Sequence, residues 1–251
     1  MPPGIGPADL ETPEPEGSRG KPVGRRVFLG LLGVGAAGVV FGARAQEFFT
    51  TATEPVATID PTGITKEALP RQKFRFYTVT TEFPVRAKKD YFLSVTGFVK
   101  NPLKLSYDDL LAMEPVNITR DFQCVTGWRV DDVKWKGVKL WDIVERAGIT
   151  PEGKALRFTS FDGVYTESLT FDQARRDDVM VAYQLEGKDI SSDHGGPVRL
   201  YVAPMYGYKS IKWLESIQVV ERVHFGYWER LGYDVDAWVG KSNGRSDEPT
   251  S

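Results

Sequence analysis

Apolar residues along this chain recur mostly at intervals of two, in short runs punctuated by glycine, proline and charge. Such alternation predicts a strand over Tyr91–Val99 (YFLSVTGFV), and Val116–Phe122 and Val179–Leu185 also read as strands. Phe74–Val79, Ala155–Phe161, Val164–Leu169, Val198–Val202 and Trp213–Val220 read the same way, and the pair flanking Asp162-Gly163 predicts a hairpin. Helical spacing is confined to a few short stretches. Val138–Ala147 (VKLWDIVERA) carries apolar residues at helical intervals, with Gly148 placed as a C-cap. Ser106 is placed as the N-cap of a short helix running to Met113, and Phe171–Arg176 predicts another. No internal repeat is visible. Many short strands with a few short helices predict an α+β fold: one mixed, strand-rich domain.

The amino terminus follows a different pattern. Residues 1–23 are rich in Pro, Gly and Glu, a composition that predicts disorder. Gly24-Arg25-Arg26-Val27-Phe28-Leu29 matches a twin-arginine export signal, and the apolar run Val27–Phe41 follows. That run is shorter than the ~20 residues of a spanning helix. Ala43-Arg44-Ala45 has the small-x-small form of a cleavage site. The reading is therefore a signal segment over 1–45, a linker or arm over 46–73, the body over 74–240 and a flexible tail over 241–251. Left uncleaved, the signal would be a membrane anchor. Gly33-Val34-Gly35-Ala36-Ala37-Gly38 spells GxGxxG, but no strand precedes it and no βαβ unit surrounds it, so it predicts no dinucleotide site.

Composition narrows the function classes. Hydrophobic residues make up 41% and charged residues 26%, enough for a real core. A net charge of -2 leaves no electrostatic footprint for nucleic acid. Cys124 is the one cysteine, which excludes an internal disulfide and a cysteine-rich zinc or iron–sulfur site within the chain. Two histidines and no GxSxG leave little for a hydrolase.

Two stretches carry candidate chemistry. Cys124 follows a predicted strand in Asp121-Phe122-Gln123-Cys124-Val125-Thr126-Gly127-Trp128. A lone Cys is either a buried apolar residue or a metal ligand, and a soft thiolate suits a high-valent metal held by sulfur. The second stretch is Asp193-His194-Gly195-Gly196-Pro197-Val198-Arg199-Leu200, followed by Tyr206-Gly207-Tyr208-Lys209-Ser210-Ile211-Lys212-Trp213. Glycines that let a backbone approach, with Arg199, Lys209 and Lys212 nearby, suit an anion such as phosphate. His194 reads equally as a pocket contact or a structural hydrogen-bond partner. Trp128 and Trp135 read as core, Arg129 as a surface charge, and His224 as structural or solvent-facing.

Taken in order, the Cys124 loop, Trp-x-Gly-Val downstream of it, His-Gly-Gly-Pro-Val-Arg and Tyr-Gly-Tyr-Lys-Ser-Ile-Lys-Trp resemble the molybdopterin-binding domain of the sulfite oxidase family. The likeness runs from about Arg75 to Val220, and Tyr227–Tyr233 looks like the tail of the small exported bacterial members, among them the catalytic subunits that reduce methionine sulfoxide. The resemblance implies a molybdenum–molybdopterin cofactor with Cys124 as the protein ligand to the metal. It implies pterin-phosphate contacts at Arg199, Ser210, Ile211 and Lys212, a pocket contact at His194, and further pterin contacts at Thr78, Thr81, Glu82 and Ser160. Gln123 departs from the arginine that some bacterial members carry before the cysteine. No immunoglobulin-like or cytochrome domain is expected. The implied activity is oxygen-atom transfer on a small-molecule or protein-bound oxo substrate, with electrons exchanged through a separate haem or cytochrome partner. The alternative is an exported binding protein that keeps the fold without the cofactor.

Overall fold

The computed structural model describes residues 73–250. The expected signal segment and all but the last residue of the arm lie outside them. Ten strands form two five-stranded sheets. The first contains β1 (Phe92–Gly97), β2 (Leu103–Ser106), β5 (Ala155–Ser160), β6 (Thr166–Thr170) and β10 (Leu214–Val220), in the order β2-β1-β10-β5-β6. The second orders β3 (Val116–Gln123), β4 (Arg129–Lys139), β7 (Val179–Leu185) and β8 (Lys188–Asp189), and β9 (Arg199–Val202) also pairs with β7. Only the β1–β10 pair is parallel among these pairings, so the first sheet is mixed. Three short helices complete the order: α1 (Tyr107–Ala112), α2 (Leu140–Ala147) and α3 (Phe171–Ala174). The α+β, strand-rich expectation holds.

Side-chain alternation explains why the sheets pack as they do. In β1, Leu93 and Val95 are buried in the main core while Phe92 and Thr96 face outward. β7 is apolar almost throughout because both its faces are covered. Val179, Val181 and Tyr183 join the main core, whereas Met180 and Ala182 join a second cluster with Trp135 and Tyr201. α2 buries Leu140, Ile143, Val144 and Ala147 along one stripe. Ser106 caps α1 with a capping box, its Oγ accepting from the Asp109 N–H while Asp109 accepts from the Ser106 N–H. Thr170 and Gln173 do the same for α3.

Four expectations need correcting. Phe74–Val79 is not a strand; it runs without a sheet partner as a wall segment of the cavity described below. Val138 belongs to β4, and the helix begins at Leu140. β4 itself, whose burial pattern breaks strict alternation, and the short β2 and β8 were not expected as strands. The tail is not free over 241–250. Asn243 accepts from the Asp234 N–H, Asp247 accepts from the Tyr206 hydroxyl at 2.7 Å, and the Thr250 hydroxyl donates to the Ala203 carbonyl. Polar residues that read as solvated on paper are satisfied by the body instead.

Candidate active site

The two sheets bring the two chemical stretches to one cavity of about 480 Å³. Cys124 sits at the tip of the β3–β4 hairpin. Its N–H donates to the Trp128 carbonyl at 2.9 Å, and the Gly127 N–H donates back to its carbonyl at 3.0 Å. Gln123, the last residue of β3, is buried and fixes the tip from behind. Its amide donates to the Cys124 carbonyl, and its side-chain oxygen accepts from Arg129 Nε at 2.7 Å. Arg129 also pairs with Asp121 and donates to the Glu248 carbonyl, so it is a half-buried brace rather than a surface charge. The Thr126 hydroxyl donates to Cys124 Sγ at 3.2 Å. Burial raises the Cys124 thiol pKa, and that hydrogen bond and the charges of Arg245 and Arg75 pull the other way.

The opposite wall is cationic. Arg199, on β9, is 2% exposed. Its three nitrogens donate to the carbonyls of Leu200, His194 (2.6 Å) and Ser210 (2.7 Å). Lys212 Nζ donates to the carbonyls of Asp193 (2.6 Å) and Tyr77 (3.1 Å). Neither cation has a carboxylate ion-pair partner among the described residues. Burial lowers Arg199 to about 10. Burial, then the Arg199 charge, lowers Lys212 to about 7, offset in part by Asp193. Gly195 makes this approach possible. It sits at φ +95°, and a Cβ there would lie 2.6 Å from Lys212 Cγ. The Ser210 hydroxyl accepts from the Val202 N–H, tying the Ser210–Lys212 segment to β9. His194 Nδ1 lies 2.8 Å from Ser191 Oγ and 3.2 Å from Asp193 Oδ1. Its pKa is lowered, first by burial, which favours the neutral ring.

Seven of the ten expected site residues line this one cavity: Thr78, Cys124, His194, Arg199, Ser210, Ile211 and Lys212. Three do not. Thr81 and Glu82 are exposed and lie off the wall, because the chain turns away after Val79. Ser160 is buried behind the β5–β6 turn, where its Oγ accepts from the Asp162 N–H. Sequence reasoning missed the aromatic wall. Tyr165 stacks on Tyr227 at 5.7 Å, and Trp228 packs edge-on against Tyr227. Trp128, read as core, is a wall residue as well, and its buried indole N–H has no partner among the described residues. Trp135 is core, stacked 4.5 Å from Tyr201. No spacing rule separates a wall aromatic from a core one; the clustering of Tyr227, Trp228 and Tyr233 after the last strand was the available signal.

Comparison with known proteins places this geometry. The profile of the oxidoreductase molybdopterin-binding domain matches residues 80–228. The chain belongs to that family. It is 37% identical over 172 residues to the uncharacterised oxidoreductase YuiH of Bacillus subtilis, covering 64% of this chain and 86% of that one. It is 30% identical to the sulfite oxidase of Arabidopsis thaliana, over 59% of this chain and 46% of that one. Against the protein-methionine-sulfoxide reductase catalytic subunit MsrP of Xanthomonas campestris the identity is 29%, over 84% of this chain and 69% of the relative. The sulfane dehydrogenase SoxCD of Paracoccus pantotrophus superposes with a TM-score of 0.52 at 24% identity, over 56% of this chain and 41% of that chain, which shows a shared fold. The chain thus spans under half the length of the plant sulfite oxidase and of the SoxCD chain.

This molybdopterin-binding oxidoreductase takes molybdenum–molybdopterin as its cofactor. The cavity suits such a group. Buried Arg199 and half-buried Lys212 lack carboxylate partners among the described residues, which fits a phosphate, and its flat aromatic walls fit a pterin ring.

Proposed function

We propose that this oxidoreductase transfers an oxygen atom at molybdenum, with Cys124 as the thiolate ligand and with Arg199, Ser210, Ile211 and Lys212 holding the phosphate end of the cofactor. The observation that carries the reading is the meeting, in one cavity, of a cysteine and two cations, buried Arg199 and half-buried Lys212, that have no carboxylate partner among the described residues and come from a segment more than 70 residues away. Among the described residues no group of three or more His, Cys, Asp and Glu gathers to hold a metal, which suits a metal supplied with most of its ligands by a cofactor. When bound, the cofactor supplies the two-electron oxygen-atom transfer. The protein's own residues set the rest. Burial holds the Cys124 thiol pKa up, and the Thr126 hydroxyl and the charges of Arg245 and Arg75 offset part of that cost of losing the proton, as ligation requires. Thr78 and the neutral His194 complete the wall beside the cations. Thr81, Glu82 and Ser160, which lie off the cavity wall, are given no part in holding the cofactor.

Tyr77, Tyr227 and Trp228, all at least partly exposed, are among the aromatic residues that line the cavity. Such a lining suits an uncharged sulfoxide better than sulfite, so we take sulfoxide-type reduction as the reaction: one sulfoxide, two electrons and two protons give one thioether and one water. The 84% coverage against MsrP supports the same choice. Electrons then come from a separate haem or cytochrome partner, since Cys124 is the chain's one cysteine and no c-type haem motif is present. Export by the twin-arginine route follows from Arg25-Arg26, as this route carries folded, cofactor-loaded proteins.

The test is plasma mass spectrometry on protein from a host that makes molybdopterin, alongside assays with a reduced dye and methionine sulfoxide or with sulfite and an electron acceptor. The expected result is near one molybdenum per chain and sulfoxide-dependent dye oxidation, both lost in Cys124→Ala. Folded wild-type protein without molybdenum would overturn the reading in favour of a cofactor-free binding protein. Sulfite-dependent turnover alone would overturn the direction.

A further inference from the structure

Behind the aromatic wall lies a second buried charge cluster that plays no part in holding the cofactor. Lys209 is 1% exposed, and its ammonium pairs with two carboxylates, Glu229 at 2.8 Å and Glu167 in closer contact still. Glu167 is equally buried, and Glu229 nearly so. Each carboxyl leaves one oxygen, Glu167 Oε1 and Glu229 Oε2, buried with no donor among the described residues. Both oxygens lie 2.5 Å from the point where a side chain at Gly226 would begin, so they converge over its bare Cα. Two ionised carboxyls converging on one site with a single cation would leave a net buried negative charge and two unmet acceptors. One proton between the two carboxyls removes both problems.

The cluster's place in the chain gives it a role. Glu167 is two residues from Tyr165, Lys209 follows Tyr208, and Glu229 follows Tyr227 and Trp228; all four aromatics line the cavity. We propose that Glu167, Lys209 and Glu229 are positioning residues, a latch closed by one shared proton that holds β6, the Gly207–Lys209 turn and the Glu229–Leu231 turn together and so sets the aromatic wall. Losing that proton leaves two facing carboxylates, and the 226–231 segment moves off.

The proton is held through neutral pH. Burial, opposed by Lys209 and reinforced by Glu229, raises Glu167 to about 8. Other groups face the cluster. Tyr165, just before β6, and Tyr208 on the turn are both raised by burial and stay neutral through this range. Arg230 donates to Thr166 Oγ1, Asp234 accepts the Tyr208 hydroxyl through its carbonyl, and the His224 N–H donates to Ser168 Oγ. Arg157 of β5 stands opposite Ser168.

Purified full-length protein is followed from pH 6 to 9 by near-ultraviolet circular dichroism and by hydrogen exchange of a peptide spanning 224–233, corrected for intrinsic rate. Wild type should show an aromatic transition near pH 8, with exchange at pH 9 rising at least tenfold over pH 6.5. Glu167→Gln, whose amide reproduces the protonated carboxyl, should hold its pH 6.5 signal throughout. Gly226→Ala, whose methyl intrudes on both converging oxygens, should show the open signal at pH 6.5. A flat wild-type profile, or a Glu167→Gln profile identical to wild type, overturns the proposal; the latter would hand the transition to Lys212. Failure of both Glu167→Gln and Glu229→Gln to fold overturns it too, because either amide satisfies the proton-sharing geometry. None of these readouts needs turnover, so they stand apart from the assignment of Cys124.

Discussion

Lys209, buried, and Lys212, half-buried, stand three residues apart, and their surroundings push them in opposite directions. Lys209 is held between two glutamates that more than offset the effect of burial, and its pKa is raised. Lys212 has carbonyls for partners and Arg199 for a neighbour, and falls to about 7. A buried cation with excess acid is a tie between elements. A cation with none, beside a cavity, is open to a counter-charge brought by a ligand. On the function proposed above, one lysine serves architecture and the other binding, although both belong to one motif, Tyr-Lys-Ser-Ile-Lys-Trp.

Replacing each lysine by methionine tests that division. Lys209→Met strands two carboxyls in the interior, and breaking a buried pair in this way costs about 3–5 kcal/mol. The melting temperature should fall by roughly 10 °C for a chain of this size. A drop of under 2 °C would show that the glutamates neutralise themselves and that the lysine is dispensable. Lys212→Met removes an unpaired charge, so the cofactor-free protein should melt at the same temperature or slightly higher. Its cofactor should instead leave roughly 10- to 100-fold faster, the loss expected of one charge-assisted hydrogen bond to phosphate. Molybdenum retained after dialysis measures this directly. Normal retention with a lowered melting point would make Lys212 a second structural tie.

This contrast also marks what was legible in the sequence. Strands β1, β3, β5, β6, β7, β9 and β10 follow from short apolar runs between turn residues, alternating in β1 and near-continuous in β7, where the reading Val179–Leu185 matches the strand. β4 was missed because a bulged register against β3 and β7 breaks its alternation. Cys124 and the Arg199–Lys212 wall were legible because their chemistry is concentrated in two short motifs. That Thr81, Glu82 and Ser160 lie off the cavity wall was not legible, since a resemblance fixes the order of residues but not which of them face the cavity. Glu167 and Glu229 could not be read either. Nothing local distinguishes a glutamate in a strand or turn from a solvated one; only the arrival of Lys209 from 20 to 42 residues away makes them a cluster.

The smallest and most diagnostic effect is on the pH dependence of stability, where the two clusters should pull with opposite sign. Glu167 binds its proton up to about 8 when folded and releases it near its ordinary 4.5 when unfolded. Between those values the folded state holds the extra proton, so this group makes stability fall as pH rises. Lys212 does the reverse. Folded, it gives up its proton near 7; unfolded, it keeps it to about 10.5. Between 7 and 10.5 the unfolded state holds the extra proton, so this group makes stability rise with pH. Each slope is at most about 1.4 kcal/mol per pH unit for one proton. Urea midpoints of cofactor-free protein at half-unit intervals should therefore lose part of their fall below pH 8 in Glu167→Gln and part of their rise above pH 7 in Lys212→Met. Adding phosphate should flatten only the second, because an anion bound beside Lys212 restores its charge while the sealed Lys209 cluster has no room for one. Phosphate acting on both slopes alike would mean that the latch is open to the cavity, and the distinction between the two lysines would fail.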